Sequence, residues 1–554
     1  MNAVTRASRA LAVALGAALA LAGCGGIPTT GPVIAGPAVD AIDPDYVVTP
    51  NGPVPDADPA GILAGFMRAV RSPQADYAVA RQFLTAELAM AWDPYVGVLI
   101  RTDAAVPVEV GTEAAPVIEY SFPTRASVDA AGRYREADVT GTRTLEFEFA
   151  QVDGQWRISA APDGVVLADV SFERAFADYP LYFFDPSGRY LVPDVRWFPS
   201  RQNTPSLVVA ALLAGPDEWL AHAVVSVFPP GTTLGSRPVT VSGGRAEVDL
   251  GPQIASASPG DLDRMRQQLI ATLDVASVTI TAEGIPLPVQ AAGPAATRDP
   301  APSGSVLLGT PTEFGHASPN GIVPIPGVTE AVVADGAVGV TLDRAQTSAA
   351  YLVADGSVRR VADGVPAVLD TRPGLVVPSL DEFGWTWSAG DGSPIEAFGP
   401  DGTAAGLVTS AVPGDAAVVA LALSRDSTRL AVGLRSPDGP RLLVFGVVRS
   451  GDAPTSLDPP LELPATGPIG SLAWVDDRSL VVVADAAVGR TAQVVGLGAP
   501  GESLGALPPG GVAVGGRGGV AGIRALADGL VLSPGGSDGW TEAGVTAGYL
   551  GVQQ

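Results

Sequence analysis

Leu421-Ala422-Leu423-Ser424-Arg425-Asp426-Ser427, followed by Leu430-Ala431-Val432, has a second version about 51 residues further along the chain. That version reads Leu472-Ala473-Trp474-Val475-Asp476-Asp477-Arg478, then Leu480-Val481-Val482. A looser relative is Ser379-Leu380-Asp381 with Phe383-Gly384-Trp385-Thr386-Trp387. Each reads as an apolar strand, an acidic turn and a second strand, and recurrence at this interval is the pattern of a β-propeller blade. Residues 303–552 are short apolar strands punctuated by glycine, proline and aspartate, with room for about five or six blades at that spacing. A pair of β-sandwiches is the alternative that uses the same strands.

Residues 180–290 have a different rhythm. Leu181-Tyr182-Phe183-Phe184 predicts a strand, Asp185-Pro186-Ser187-Gly188 a turn, and residues 191–198 another strand. Thr204-Pro205 is expected to cap a helix carrying Leu207, Val208, Ala211 and Leu212, stopped by Gly215-Pro216. Two strands turned by Gly243-Gly244 follow, then a helix with Leu262, Met265, Leu269 and Leu273 on one face, and a strand over residues 278–282. The segments Leu213-Ala214-Gly215-Pro216, Phe228-Pro229-Pro230-Gly231-Thr232 and Val248-Asp249-Leu250 resemble the GerMN domain of spore-germination and envelope proteins.

Residues 56–172 open with Asp58-Pro59, an N-cap followed by proline at the first helical position. Ile62, Leu63, Phe66, Met67 and Val70 recur at helical spacing, and two shorter helical stretches lead to Asp93-Pro94. Leu145, Phe147 and Phe149 then alternate with Glu146 and Glu148, and Asp153-Gly154 turns the chain toward Trp156 and Ile158. Helices before a hairpin-rich sheet predict an α+β domain similar to NTF2-like or cystatin-like cones. Such a cone either holds a ligand pocket or is filled by its own side chains. The expected class is therefore multidomain α+β and all-β: an NTF2/cystatin-like domain, a GerMN domain and a β-propeller-like domain.

Residues 24–55 are proline-rich without a lasting apolar period and read as an extended tether. Before them, Arg6 and Arg9 precede an uncharged apolar run over residues 11–22, closed by Leu21-Ala22-Gly23-Cys24. This is a secretory signal over residues 1–23, and its apolar run is short of the ~20 residues that span a bilayer. The final four residues resemble a bacterial lipobox. That resemblance implies cleavage between Gly23 and Cys24, with S-diacylglycerol and an N-acyl group on Cys24. Cys24 is the only cysteine, so no intramolecular disulfide competes for it.

The chain has 58 acidic and 33 basic residues and a net charge of -25, and all the basic residues are arginine. Loss of Arg6 and Arg9 with the signal makes the mature form two units more negative. Such a surface repels phosphate backbones, which excludes nucleic acid as a partner. It also repels anionic headgroups, so membrane contact depends on the lipid anchor.

Catalytic chemistry finds little to work with. The two histidines, His222 and His316, lie in different predicted domains, too few for a zinc site. His222 reads as a surface or capping residue. Gly535-Gly536-Ser537-Asp538-Gly539 satisfies G-x-S-x-G, but no histidine follows it. Gly516-Arg517-Gly518-Gly519-Val520-Ala521 resembles a dinucleotide loop without the helix that loop requires. Asp56-Ala57-Asp58-Pro59 opens like a calcium loop, but its twelfth position is Met67. No catalytic, metal-binding or cofactor-binding residue is expected.

The order of lipobox, tether, α+β domain, GerMN-like domain and propeller-like domain resembles the actinobacterial LpqB lipoprotein family across nearly the whole chain. Ala80-Arg81-Gln82-Phe83-Leu84-Thr85 and Asp153-Gly154-Gln155-Trp156-Arg157-Ile158 add to the resemblance. The family implies a non-enzymatic accessory on the outer face of the cell membrane. Its partner would be the extracytoplasmic domain of a sensor histidine kinase, MtrB, acting through the response regulator MtrA in envelope homeostasis and cell division. A cell-wall glycan or peptidoglycan binder is the alternative, with Trp385, Trp387 and Trp474 as candidate aromatics, though these read rather as blade-core residues. A hydrolase or transport-binding lipoprotein is disfavoured by the missing catalytic constellation.

Overall fold

The computed structural model describes residues 50–554 apart from 103, 138–140, 303, 488 and 536–538. Gly23, Cys24, the signal, most of the tether and the centre of the G-x-S-x-G string lie outside the described residues. Asp58 accepts the Gly61 amide at 2.8 Å and starts the helix Pro59–Ala69, which buries Ile62, Leu63 and Phe66. Thr85 caps Ala86–Ala91 by accepting the Leu88 amide. Between them, positive φ at Ala75, Asp76 and Tyr77 leaves a single helical turn, Ala78–Arg81. These helices cover a sheet ordered Gln155–Ala160, Thr142–Val152, Val117–Asp129, Gly97–Arg101, Val165–Ala168. Asp153 and Gly154, both at positive φ, make its two-residue turn.

The helix Asp169–Ala175 runs without a linker into the strand Phe176–Phe184, which pairs antiparallel with Tyr190–Pro199. Every residue of Tyr190–Pro199 is buried, as befits a strand covered on both faces. The helix Thr204–Ala214 has no side-chain cap; the Thr204 hydroxyl instead accepts the Arg201 amide and donates to the Pro199 carbonyl. Arg245–Leu250 and Ser277–Ala282 pair in parallel, joined by the helix Pro259–Leu273. The Asp249 carboxylate accepts the Thr281 hydroxyl and the Gly284 amide, and Gly235 packs where a Cβ would meet it at 2.1 Å. The Val248-Asp249-Leu250 segment is thus a packing device of this sheet.

From residue 307 onward the sheets are those of a six-bladed propeller. The eight-stranded sheet supplies two blades and the four sheets over residues 379–398, 417–463, 469–507 and 512–546 supply one each. The last strand, Tyr549–Gln553, pairs with Leu307–Gly309 and, in parallel, with Ala337–Leu342, so chain end and chain start close the ring in one blade. Contacts between the inner strands run from blade to blade around the circle. Among the described residues no helix is long and apolar enough to cross a membrane.

Candidate functional site

The three domains meet at one indole. Trp197 lies near the end of Tyr190–Pro199, and its main-chain amide donates to the Gly132 carbonyl at 2.7 Å in the first domain. Its ring packs 4.7 Å from Phe172 and 5.9 Å from Tyr134. The indole Nε1 donates to the Gly498 carbonyl at 2.8 Å in a propeller turn. Gly132 has φ +81°, and a Cβ there would come within 2.8 Å of the Trp197 carbonyl oxygen. Beside it the Arg196–Asp194 pair, at 2.6 Å, is buried and saturated: Arg196 also donates to the Ala131 carbonyl, and Asp194 accepts the Asp217 amide. Asp217 in turn pairs with Arg133.

A second contact zone joins the GerMN-like domain to the blade ends that carry the first turn of each blade. Trp219 and Ala223 sit on Gly446, where an added Cβ would lie 2.5 Å from the Trp219 carbonyl oxygen. His222 donates its amide to Asp458 at 2.9 Å and places Nδ1 2.7 Å from the same carboxylate. Tyr190 donates to Glu382 at 2.8 Å and Arg189 pairs with it at 2.9 Å, while Tyr182 donates to Asp477 at 3.4 Å. Burial pushes the Glu382 carboxyl up to about 7, against the hydrogen bond from Tyr190 and the attraction of Arg189. Burial also raises Asp477 to about 6, the pull of Arg429 being outweighed. Beneath these polar contacts, Leu212, Trp219 and Leu220 share one continuous core with Ala431, Val444 and Leu472 of the blades.

The first domain keeps a cavity of about 270 Å³, walled by Phe66, Val70, Val98, Val128, Leu145 and Phe147. The rest of the cone is filled by its own side chains, Ile62, Leu63, Ile118, Phe149 and Ile158 among them.

The residues singled out in the sequence are dispersed. His222 is an exposed surface residue, as expected, and its ring also bonds Asp458 across the domain contact. His316 sits between the Ser305 carbonyl and Gln346, far in sequence from His222. Trp387 and Trp474 are 0% and 4% exposed and Trp385 is half-buried against the blade core, so none offers an open stacking platform for a glycan. After Gly516 comes a 3-10 turn, Gly519–Gly522, and then a strand. Asp56 bonds Gln155 and Asp58 caps a helix. Among the described residues no group of His, Cys, Asp or Glu could hold a metal ion. Trp197, Gly446 and Glu382 escaped the sequence reading. A buried D-x-R pair inside the nearly unbroken apolar run of residues 190–199 was the available sign of an interdomain strand.

Three family models match adjoining parts of the chain. "Lipoprotein LpqB, N-terminal domain" covers residues 52–173, "Sporulation and spore germination" residues 180–288, and "Lipoprotein LpqB beta-propeller domain" residues 315–548. A Lipoprotein LpqB of Cutibacterium acnes is 33% identical over 49% of this chain, and the alignment spans 46% of that relative's own length. The Lipoprotein LpqB of Streptomyces coelicolor is 28% identical, with 86% of each chain covered. Among solved structures, the tandem GerMN domains of the sporulation protein GerM from Bacillus subtilis align at 19% identity, over 24% of this chain and 56% of that one, with a TM-score of 0.18.

Proposed function

Because this chain belongs to the LpqB lipoprotein family, we propose that it is a lipid-anchored, non-enzymatic accessory of a two-component sensor kinase of the MtrB–MtrA type, held on the extracytoplasmic face of the cell membrane. The observation that carries the reading is the lipobox cysteine, Cys24, upstream of three domains that form one contact unit over Pro50–Gln554. Anchoring and a tether confine the protein to the membrane plane and raise its effective concentration at a kinase ectodomain. A partner then meets one body, because Trp197 and the Trp219–Gly446 packing tie the domains together. If one kinase conformation binds that body better, signalling shifts by the difference in affinity. One acyl chain gives marginal retention, so the thioether diacylglycerol and the N-acyl group on Cys24 act together.

Crosslinking in intact cells followed by recovery of the protein tests this. The expected result is capture of a histidine kinase with the native protein. With Cys24→Ala, lipid labelling is lost and capture falls at least tenfold. Recovery of muropeptides alone, or undiminished capture and signalling by the unlipidated variant, would overturn the reading.

A further inference from the structure

We propose that the cavity inside the N-terminal cone binds a small amphipathic anion: an apolar chain of about eight carbons carrying a carboxylate or a comparable anionic head. The strand Thr142–Val152 carries the main argument. Alternate residues share a face of a strand, and along this one Arg143 is exposed, Leu145 half-buried and Phe147 buried. All three line the cavity. One face therefore runs from a cation at the mouth to hydrocarbon at the floor, where Phe66, Val98 and Val128 are each less than 5% exposed.

Charge at the mouth selects the head group. Asp129 and Asp163 also reach the cavity, but Asp129 accepts the Ala131 and Arg133 amides and pairs with the Arg133 guanidinium, and Asp163 accepts the Asp93 amide. Arg143 makes no hydrogen bond or ion pair among the described residues, in a chain where acids outnumber bases 58 to 33. The charge without a partner is the positive one. Volume limits the tail: 270 Å³ is roughly nine liquid waters at ~30 Å³ each. That suits an octanoyl-sized chain and is smaller than the full acyl tail of a membrane lipid. The inference is independent of the kinase reading.

The test is calorimetric titration of residues 25–554, which retain the whole contact unit, with octanoate, octanol and palmitate. Octanoate is expected to bind one to one, more tightly than octanol and palmitate. Arg143→Gln should weaken octanoate at least tenfold and change octanol less than twofold. Leu145→Trp, which fills the cavity from a half-buried position, should abolish both, with circular dichroism confirming the fold. Tighter binding of palmitate would reassign the cavity to a lipid acyl chain and overturn the proposal. So would octanoate binding indifferent to Arg143→Gln, or no saturable binding at all.

Discussion

Arg425 shows how much a single buried cation does in this propeller. Its guanidinium donates to the carbonyls of Val475, Trp474 and Gly516, reaching from its own blade to the next two, and its own carbonyl accepts Arg344 from a fourth. Burial lowers its pKa, with Asp299 and Asp476 opposing at longer range, yet a guanidinium stays protonated. Arg429 extends the clasp by bonding Asp426 and the Asp477 carbonyl while lying 4.8 Å from the Trp474 ring. Arg449 ties Asp381 of the preceding blade to the Ser427 carbonyl. Only a planar fork with several donors can serve so many carbonyls at once. Arg425→Met keeps the bulk but orphans three acceptors, and should lower propeller stability by about 2–4 kcal/mol. Arg517→Gln, at an exposed position, should stay within ~0.5 kcal/mol. Equal urea midpoints for the two variants would contradict the clasp.

Among the elements, the first turn of four successive blades is built alike: an aspartate accepts backbone amides two to five residues ahead. Asp343 takes Thr347 and Ser348, Asp381 takes Phe383 and Trp385, Asp426 takes Thr428, and Asp476 takes Arg478. This local chemistry made the blades legible in sequence, just as the N-cap at Asp58 and the Asp153-Gly154 turn were. What stayed hidden is non-local. The first blade is assembled from residues 307–324 and 549–553, and Trp197 meets Gly498 across 301 residues; no local period encodes either. The cavity has no local code either, since its walls at Phe66, Val98, Val128, Leu145 and Phe147 come from one helix and three strands. Some edges are also guarded without a local hydrophobic signal. Val106–Glu109 exposes all four residues, yet its pairing with Val117–Asp129 leaves Pro107 on the outward edge, where the missing N–H discourages a further strand. Gly446 offers the sharpest test of domain docking, because an added Cβ would meet the Trp219 carbonyl oxygen, the Ala223 methyl and the Asp458 carboxylate. Gly446→Ala should cost about 1–3 kcal/mol of overpacking and speed hydrogen exchange of the Ala223 and Val224 amides. Unchanged exchange there would mean the helical turn is not seated on the blade.

The molecule as a whole carries acids shifted in opposite directions, and together they set its pH optimum. Asp249, Asp263, Asp370 and Asp426 are held below the usual carboxylate value of 3.8; Thr281 is the main cause at Asp249, and at the other three the bonds from arginines and amides overcome a desolvation that pushes the other way. Their stabilisation is present above about 4 and is lost as pH falls through the folded value. Glu382 and Asp477 behave oppositely. Their folded values of about 7 and about 6 lie above the reference 4.5 and 3.8, so the stability they contribute is full at low pH and is lost as pH rises through those values. Both sit where the GerMN-like domain meets the blades. Glu382 faces Tyr190, Arg189, Arg344 and Asp185; Asp477 faces Tyr182, Arg429, Arg478, Asp299 and Asp476. The net charge of -25 adds self-repulsion in the same direction as pH rises. Stability should therefore peak near pH 5 and fall by on the order of 1–3 kcal/mol toward pH 8, with the loss concentrated in protection of the GerMN–propeller contact. Glu382→Gln retains an acceptor for Tyr190 but cannot ionise. It should flatten the decline between pH 6 and 8 while leaving the acid limb unchanged, as read by thermal melts at half-unit pH steps. A variant whose decline matches that of the native chain would place the pH dependence outside this interface.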